Sequence, residues 1–395
     1  MKKTLIAVAA AAALTATSAF AEITFGAWLR TLTAPVASNG EDTVVGTANS
    51  WGWGARTARI DINGVSEDGK AGFAMNVFND MSMDITAGDR AVLWVKPVDM
   101  IKISVGKYDS PDNGLRGDFC YGSWNWLRPY NWGFDGEGLT FDGIWRKGMM
   151  IEADPIEGLH AFVVIPMEDA NADSYYKKAE DTYRNVQIGF GYAIDGVGKL
   201  KAQFIGDDSY TTDAEGDRDE TKTTGQIGVA FDLNAVENLY VTVGARFGIA
   251  DKDYRPDYLK MAFTAGASYQ VSDAMKFSVD GGYKQYQDKT VGKDGDKKDN
   301  EFFVGAGVDY TIMDGLNLAA DVRYKNIGYG KEGDDGAISF LVGVNKSVSS
   351  NGSLGIGFQG ATNGCGFVQS GGKGLVADEA DDFVWAIPVS VSVWF

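Results

Sequence analysis

Past residue 21 the chain has no apolar run long enough to cross a bilayer as a helix, so a helical membrane protein is excluded. Histidine occurs once, at His160, and no serine- or aspartate-bearing motif surrounds it, so a histidine-based hydrolytic site has nothing to build on. Cysteine occurs only twice, at Cys120 and Cys365. No glycine-rich phosphate loop follows a strand and opens a helix, and no metal-ligand spacing is present, so neither a cofactor nor a metal is expected. Basic excess is also missing. The net charge of −18 disfavours nucleic acid as a partner. Proline is scarce, and no linker or composition break divides the chain into domains.

What is present begins with an export pattern. Lys2 and Lys3 precede a short alanine-rich apolar run ending at Leu14, and Ala19-Phe20-Ala21 supplies a small-x-small cleavage pattern. Residues 1–21 therefore read as a signal peptide, with Glu22 as the mature N-terminus. The run is too short for a membrane anchor.

Beyond it, apolar residues recur with a period of two. Val186, Ile188, Phe190, Tyr192 and Ile194 alternate with glycine, alanine and glutamine. Leu239, Val241, Val243, Ala245, Phe247 and Ile249 alternate with Tyr240, Thr242, Gly244, Arg246 and Gly248. The stretches 261–271, 277–283, 302–312, 316–324 and 383–395 read the same way. In a strand this period places one set on each face. An aliphatic and aromatic face opposite a glycine-rich, polar and charged one fits a sheet with lipid outside and water inside.

The connections alternate too. Short links fall at 65–69, 97–99, 155–157, 195–197, 234–238, 272–274, 313–315 and 349–351. Longer polar links fall at 34–50, 79–88, 108–136, 168–184, 207–223, 250–259, 287–300, 328–336 and 361–381. The pattern predicts an all-β fold over residues 22–395: one transmembrane antiparallel β-barrel of about 18 strands, with 16 as the alternative. Weak alternation at 51–63 and 139–153 keeps both counts open. An even count lets the first strand (23–32) close on the last (383–395), leaving no unpaired edge in lipid. A soluble multi-domain β-protein would also alternate, but the export pattern and the short/long regularity weigh against it. Pro388 lacks a ladder donor, so a bulge or a break in pairing is expected in the last strand.

Several segments, in order along the chain, resemble general bacterial porins. The segment 59–73, RIDINGVSEDGKAGF, is similar to the second and third strands and first periplasmic turn of that family. The hairpin 92–107, ending SVGK before Tyr108, resembles the pair that precedes the family's constriction loop. FDGIW at 141–145 and DPIEGL at 154–159 resemble the strand and turn that follow it. The C-terminal VWF, ending on Phe395, resembles the family's assembly signal. The resemblance implies an outer-membrane channel for passive diffusion of ions and small hydrophilic solutes, with short periplasmic turns and long extracellular loops. It also implies contact with outer-membrane lipids, delivery by periplasmic chaperones and barrel-assembly machinery, and a homotrimer. The alternative is a surface adhesin or structural barrel acting through its long acidic loops.

Family position further implies that 108–136 folds into the lumen; the residues alone also fit an outward surface loop packed on its own aromatics. That segment carries Asp109, Asp112, Arg116, Asp118 and Arg128 among Trp124, Trp126, Tyr130 and Trp132. Charged rings of this kind set size and charge limits in a pore. With the apolar set on lipid, alternation assigns Arg59, Asp61, Lys102, Arg146, Lys201, Asp232, Arg246, Lys276, Asp280, Lys284, Asp309, Asp321 and Arg323 to the lumen. Two readings of these charges stand together: a basic ladder facing acidic loop groups, or lateral pairs that stabilise the wall. Cys120 and Cys365 both fall in long loops on one side, where export permits a disulfide or leaves two free thiols.

Overall fold

A computed structural model describes residues 22–38, 43–49, 58–79, 85–107, 147–167, 179–206, 210–212, 218–221, 224–250, 258–291, 297–326, 336–362 and 383–395. The wall opens with β1 (Glu22–Ser38), whose far end pairs with a short β2 (Thr43–Asn49). It continues through β3 (Ala58–Val65), β4 (Ala71–Asn79), β5 (Ile85–Val98), β6 (Ile101–Lys107), β7 (Lys147–Ile156), β8 (Leu159–Pro166), β9 (Gln187–Ile194) and β10 (Gly198–Gly206). A separate two-stranded ribbon, β11 (Tyr210–Thr212) with β12 (Arg218–Thr221), stands in the next connection. The second half runs through β13 (Gly225–Leu233), β14 (Leu239–Ile249), β15 (Leu259–Ser272), β16 (Met275–Val291), β17 (Lys297–Met313), β18 (Leu316–Lys325), β19 (Ala337–Ser349), β20 (Gly352–Thr362) and β21 (Phe383–Trp394).

These strands form one 19-stranded antiparallel sheet, and setting β2 aside as an appendage leaves 18 strands around the wall. Closure comes from β1. Its first half pairs with β3 from Glu22↔Val65 to Leu29↔Ala58, and its second half pairs with β21 from Trp28↔Trp394 to Ser38↔Trp385. The C-terminus is held as well. Phe395 N–H donates to the Ala27 carbonyl at 2.8 Å, and Ala27 N–H donates to the Phe395 carbonyl at 3.1 Å. No strand edge is left open in the ring, which is what lipid requires of a sheet.

Pro388 behaves as its chemistry demands. On the β20 side the ladder runs to Ile356↔Val389 and resumes at Gln359↔Ala386, skipping the pairs around Pro388. On the other side β1 shifts register between Thr33 and Val36, which places a bulge opposite the same proline.

All eight short links are tight hairpins between consecutive strands. Four of them place a glycine at positive φ (Gly69, Gly158, Gly196, Gly315), and a fifth uses Asn238 at φ 62, the two residue types that tolerate this conformation. In the β3–β4 turn, the Ser66 hydroxyl donates to Asp68 at 2.7 Å and Lys70 N–H donates to the same carboxylate at 3.0 Å. Asp68 is thereby held below the ordinary carboxylate range, first by the Ser66 hydroxyl and then by the Lys70 amide.

The long links differ more from expectation. The segment 34–50 contains the end of β1 and all of β2, and β16 and β17 run well into 287–300. A short helix, Ala179–Arg184, occupies part of 168–184. Strands that continue above the lipid meet water on both faces, so their sequences lose the alternation that marks a membrane strand.

The outer face carries an aliphatic band. Val243, Val279, Val304, Val322, Val342 and Ile356 are all roughly half exposed. Aromatic residues flank it. Towards the long links Phe247 packs edge-on against Phe263, Phe302 against Tyr324, and Phe340 and Phe358 against Phe383 and Trp385. Towards the short turns lie exposed Tyr192, Tyr269, Phe277 and Tyr310. Aromatic girdles bracketing an apolar band are the mark of a sheet facing lipid.

Candidate functional site: the inner wall

The face opposite that band carries the charges. In β3 the outward Ile60 and Ile62 alternate with Arg59, Asp61 and Asn63, and the guanidinium of Arg59 pairs with Asp61 at 2.8 Å. Arg59 also lies over the ring of Phe78, 5.9 Å from its centroid. Arg90 on β5 reaches the same carboxylate at 3.2 Å, so Asp61 is shared by two cations. Lys102 on β6 pairs with Glu152 on β7 at 2.9 Å. Lys201 on β10 and Asp232 on β13 form a buried pair at 2.5 Å, and the Thr242 hydroxyl donates to that carboxylate at 2.7 Å.

On the far side of the ring, Arg246 donates to Gln226 at 3.3 Å. Lys276 and Asp309 approach to 3.6 Å on neighbouring strands. Arg323 on β18 bonds to Asp280 on β16, with Asp321 at 3.9 Å from the same guanidinium. The Tyr286 hydroxyl donates to Glu301 at 2.8 Å, and Lys284 lies 5.1 Å from the Tyr286 ring centroid.

Of the residues expected in the site, Arg59, Asp61, Lys102, Arg246 and Arg323 therefore fall on one face of one wall. They are not gathered into one cluster; lateral pairs spread them around the ring. Burial differs among them: Arg323 and Asp280 are both 5% exposed at the side chain, whereas Lys102 is 35% exposed. Asp109, Asp112, Arg116, Asp118, Arg146, Cys120 and Cys365 lie outside the described residues, as does most of the segment 361–381.

Four ionisable members of the wall escaped the sequence reading; one is Glu301 on β17, which stands just past a segment read as a polar link and has buried Phe303 as its inward neighbour. Glu152 sits at an inward position of β7, but the run Met149–Ile151 around it is apolar on both faces. Arg90 follows directly on a segment read as a polar link, and its inward neighbours Val92 and Trp94 disguise the parity. His160 belongs to the same wall: its Nδ1 lies 2.8 Å from Asp154 and its Nε2 lies 3.8 Å from Glu152. In each case the position in the alternation was the signal, and apolar inward neighbours hid it.

Among the described residues, the inward positions of one stretch of wall carry no charge. Inward positions there, along β19, β20 and β21, include Ser339 paired with Ala361, Leu341 with Gln359, Gly343 with Gly357, Gln359 with Ala386 and Gly355 with Ser390, and alternation adds Pro388. Leu341 and Gln359 are fully buried there.

A closed antiparallel barrel with an apolar exterior and a charged interior is a pore architecture, and the sequence comparison settles its family. The model of the Gram-negative porin family matches residues 7–330. The chain belongs to that family. It is thus a porin, a channel protein of the outer membrane, and neither the family nor the fold supports an adhesin.

One solved porin structure shares the fold at low identity, and others are similar to a lesser degree. An anion-selective porin from Comamonas acidovorans is 16% identical, with a TM-score of 0.50 over 95% of this chain and 99% of that one. A Rhodopseudomonas blastica porin variant is 15% identical, with a TM-score of 0.47 over 95% of this chain and 100% of that one. The trimer form of OmpT from Vibrio cholerae is 12% identical, with a TM-score of 0.42 over 95% of this chain and 99% of that one. No curated protein matches the chain.

Proposed function

We propose that this porin is a water-filled channel for passive diffusion of ions and small hydrophilic solutes. The observation that carries the reading is the division of faces. Charged residues from Arg59 round to Arg323 occupy the side turned away from lipid, and the lipid side is apolar throughout its middle. Charges on a lipid face near the midplane are strongly disfavoured, so such a division serves a polar interior.

In this proposal segment 108–136 folds inward as the constriction, placing Asp109, Asp112, Arg116 and Asp118 opposite wall cations, with Arg146 on the wall nearby. Its ends favour this, since Lys107 and Lys147 are paired neighbours and the chain between them is far longer than a hairpin requires. Residues 1–21 are removed on export, the channel works as a homotrimer, and exposed Phe395 serves recognition during assembly. The lateral pairing of wall charges favours weak ion selectivity, because a cation beside a carboxylate projects little field into the lumen. Reconstitution in planar bilayers tests the channel directly: stepwise conductance supports it, and a folded barrel without conductance contradicts it.

A further inference from the structure

The buried pair between Arg323 and Asp280 spans an intervening strand. The two residues are not on adjacent strands. In register, Asp280 on β16 stands opposite Gly305 on β17, and Gly305 stands opposite Arg323 on β18, so the three form one row across three strands. The arginine must cross β17 to reach its carboxylate, a distance of about two strand spacings, or roughly 10 Å.

Gly305 is what lets it cross. A Cβ at that position would lie 2.8 Å from Cγ of Arg323, 3.0 Å from Cζ and 3.1 Å from Nη1. The aliphatic stem and the guanidinium therefore lie flat on the bare backbone of β17. The next inward glycine does the same for the next charge: a Cβ on Gly307 would lie 2.5 Å from Oδ1 of Asp321 and 2.9 Å from its Cγ. Asp321 in turn flanks the same guanidinium. With these side chains almost wholly buried, the row adds charge to the wall without adding bulk to the lumen.

We infer that Gly305 is a positioning residue for the channel: it holds the cation of Arg323 on the wall against Asp280, and so sets both the bore and the charge balance of this sector. The inference rests on the channel reading above. A side chain at 305 displaces the stem and guanidinium of Arg323 from β17 towards the lumen and weakens the bond to the Asp280 carboxylate.

The test is single-channel recording of the full-length refolded porin carrying Gly305→Ala. The control is Gly26→Ala, another inward glycine, where a Cβ meets nothing closer than 3.8 Å. Gly305→Ala is expected to lower conductance per channel and shift the reversal potential in a salt gradient, while Gly26→Ala changes neither. Truncating the displaced side chain, in Gly305→Ala/Arg323→Ser, is expected to restore the conductance but not the wild-type selectivity. If Gly305→Ala channels conduct and select as wild type, the inference is overturned, because a glycine needed only for folding lowers yield and leaves each folded channel unchanged. If Gly305→Ala alone fails to fold, folding of Gly305→Ala/Asp280→Asn/Arg323→Ser, which removes the clash and the uncompensated carboxylate together, supports the clash with Arg323, and its failure overturns it. A wild-type barrel that never conducts contradicts the channel reading instead, so the two failures are distinguishable.

Discussion

Two neighbouring sectors of the barrel, β16–β18 and β19–β21, present the same exterior and opposite interiors. Outside, Val304 and Val322 in the first match Val342 and Ile356 in the second, all half exposed and aliphatic. Inside, the first carries Asp280, Lys284, Glu301, Asp321 and Arg323, and the second carries uncharged residues, among them Leu341, Gln359, Pro388 and several serines, alanines and glycines. Lipid imposes one chemistry on the outer face of every strand. The inner face is free of that constraint, and it is where this porin differs from sector to sector.

The sharpest way to break the contrast is to remove one charge. Arg323→Ala leaves Asp280 buried without this cation and is expected to destabilise the folded barrel by about 3–5 kcal/mol in refolding titrations with lipid vesicles. Ser339→Ala, next in register on the neutral side, is expected to lose about 1 kcal/mol or less. Equal losses would mean that the charged row is not a distinct structural unit. The exterior should show no contrast: Val322→Arg and Val342→Arg are each expected to lose about 2–4 kcal/mol by the same titration, since both face the lipid band. A marked difference between those two would mean that one sector is shielded from lipid.

Gln359 offers the opposite sign. Both its amide atoms are buried with no hydrogen-bond partner. Replacing it with leucine is expected to stabilise the neutral sector by on the order of 1 kcal/mol, because an unsatisfied buried amide is removed. A clear loss in that titration would show that the amide has a partner in the lumen. The smallest effect belongs to the β3–β4 turn. Its depressed Asp68 contributes stability above the ordinary carboxylate pKa, and that contribution is lost as pH falls through the folded value. Ser66→Ala should bring the Asp68 titration, followed by NMR, back towards the ordinary range. An unchanged titration would assign the depression to the Lys70 amide.

The same contrast explains what was legible in the sequence. Strands such as β9 and β14 could be read because an apolar residue at every second position leaves no ambiguity about the faces. The eight short turns were equally clear, since tight hairpins need glycine, asparagine or aspartate at fixed places. β8 and β19 were harder, as Val164 and Leu341 put apolar residues on the inner face beside apolar outer neighbours. Met150, Phe162 and Val164 even form a small apolar cluster on the inner wall with Val92 against it, which alternation alone would send to lipid. The charged residues of the wall could be named from parity. Their partners could not, because pairing between Arg323 and Asp280 depends on register across three strands and on a glycine between them.

In the proposed function the polar interior is an open aqueous path. Conductance of the refolded protein in planar bilayers, measured with neutral polyols of increasing size in the bath, tests it most directly. Small polyols are expected to enter the channel and lower its conductance in proportion to the bulk, up to a cut-off size beyond which the effect disappears. A barrel that inserts yet conducts nothing, or whose conductance ignores even the smallest polyol, would contradict it.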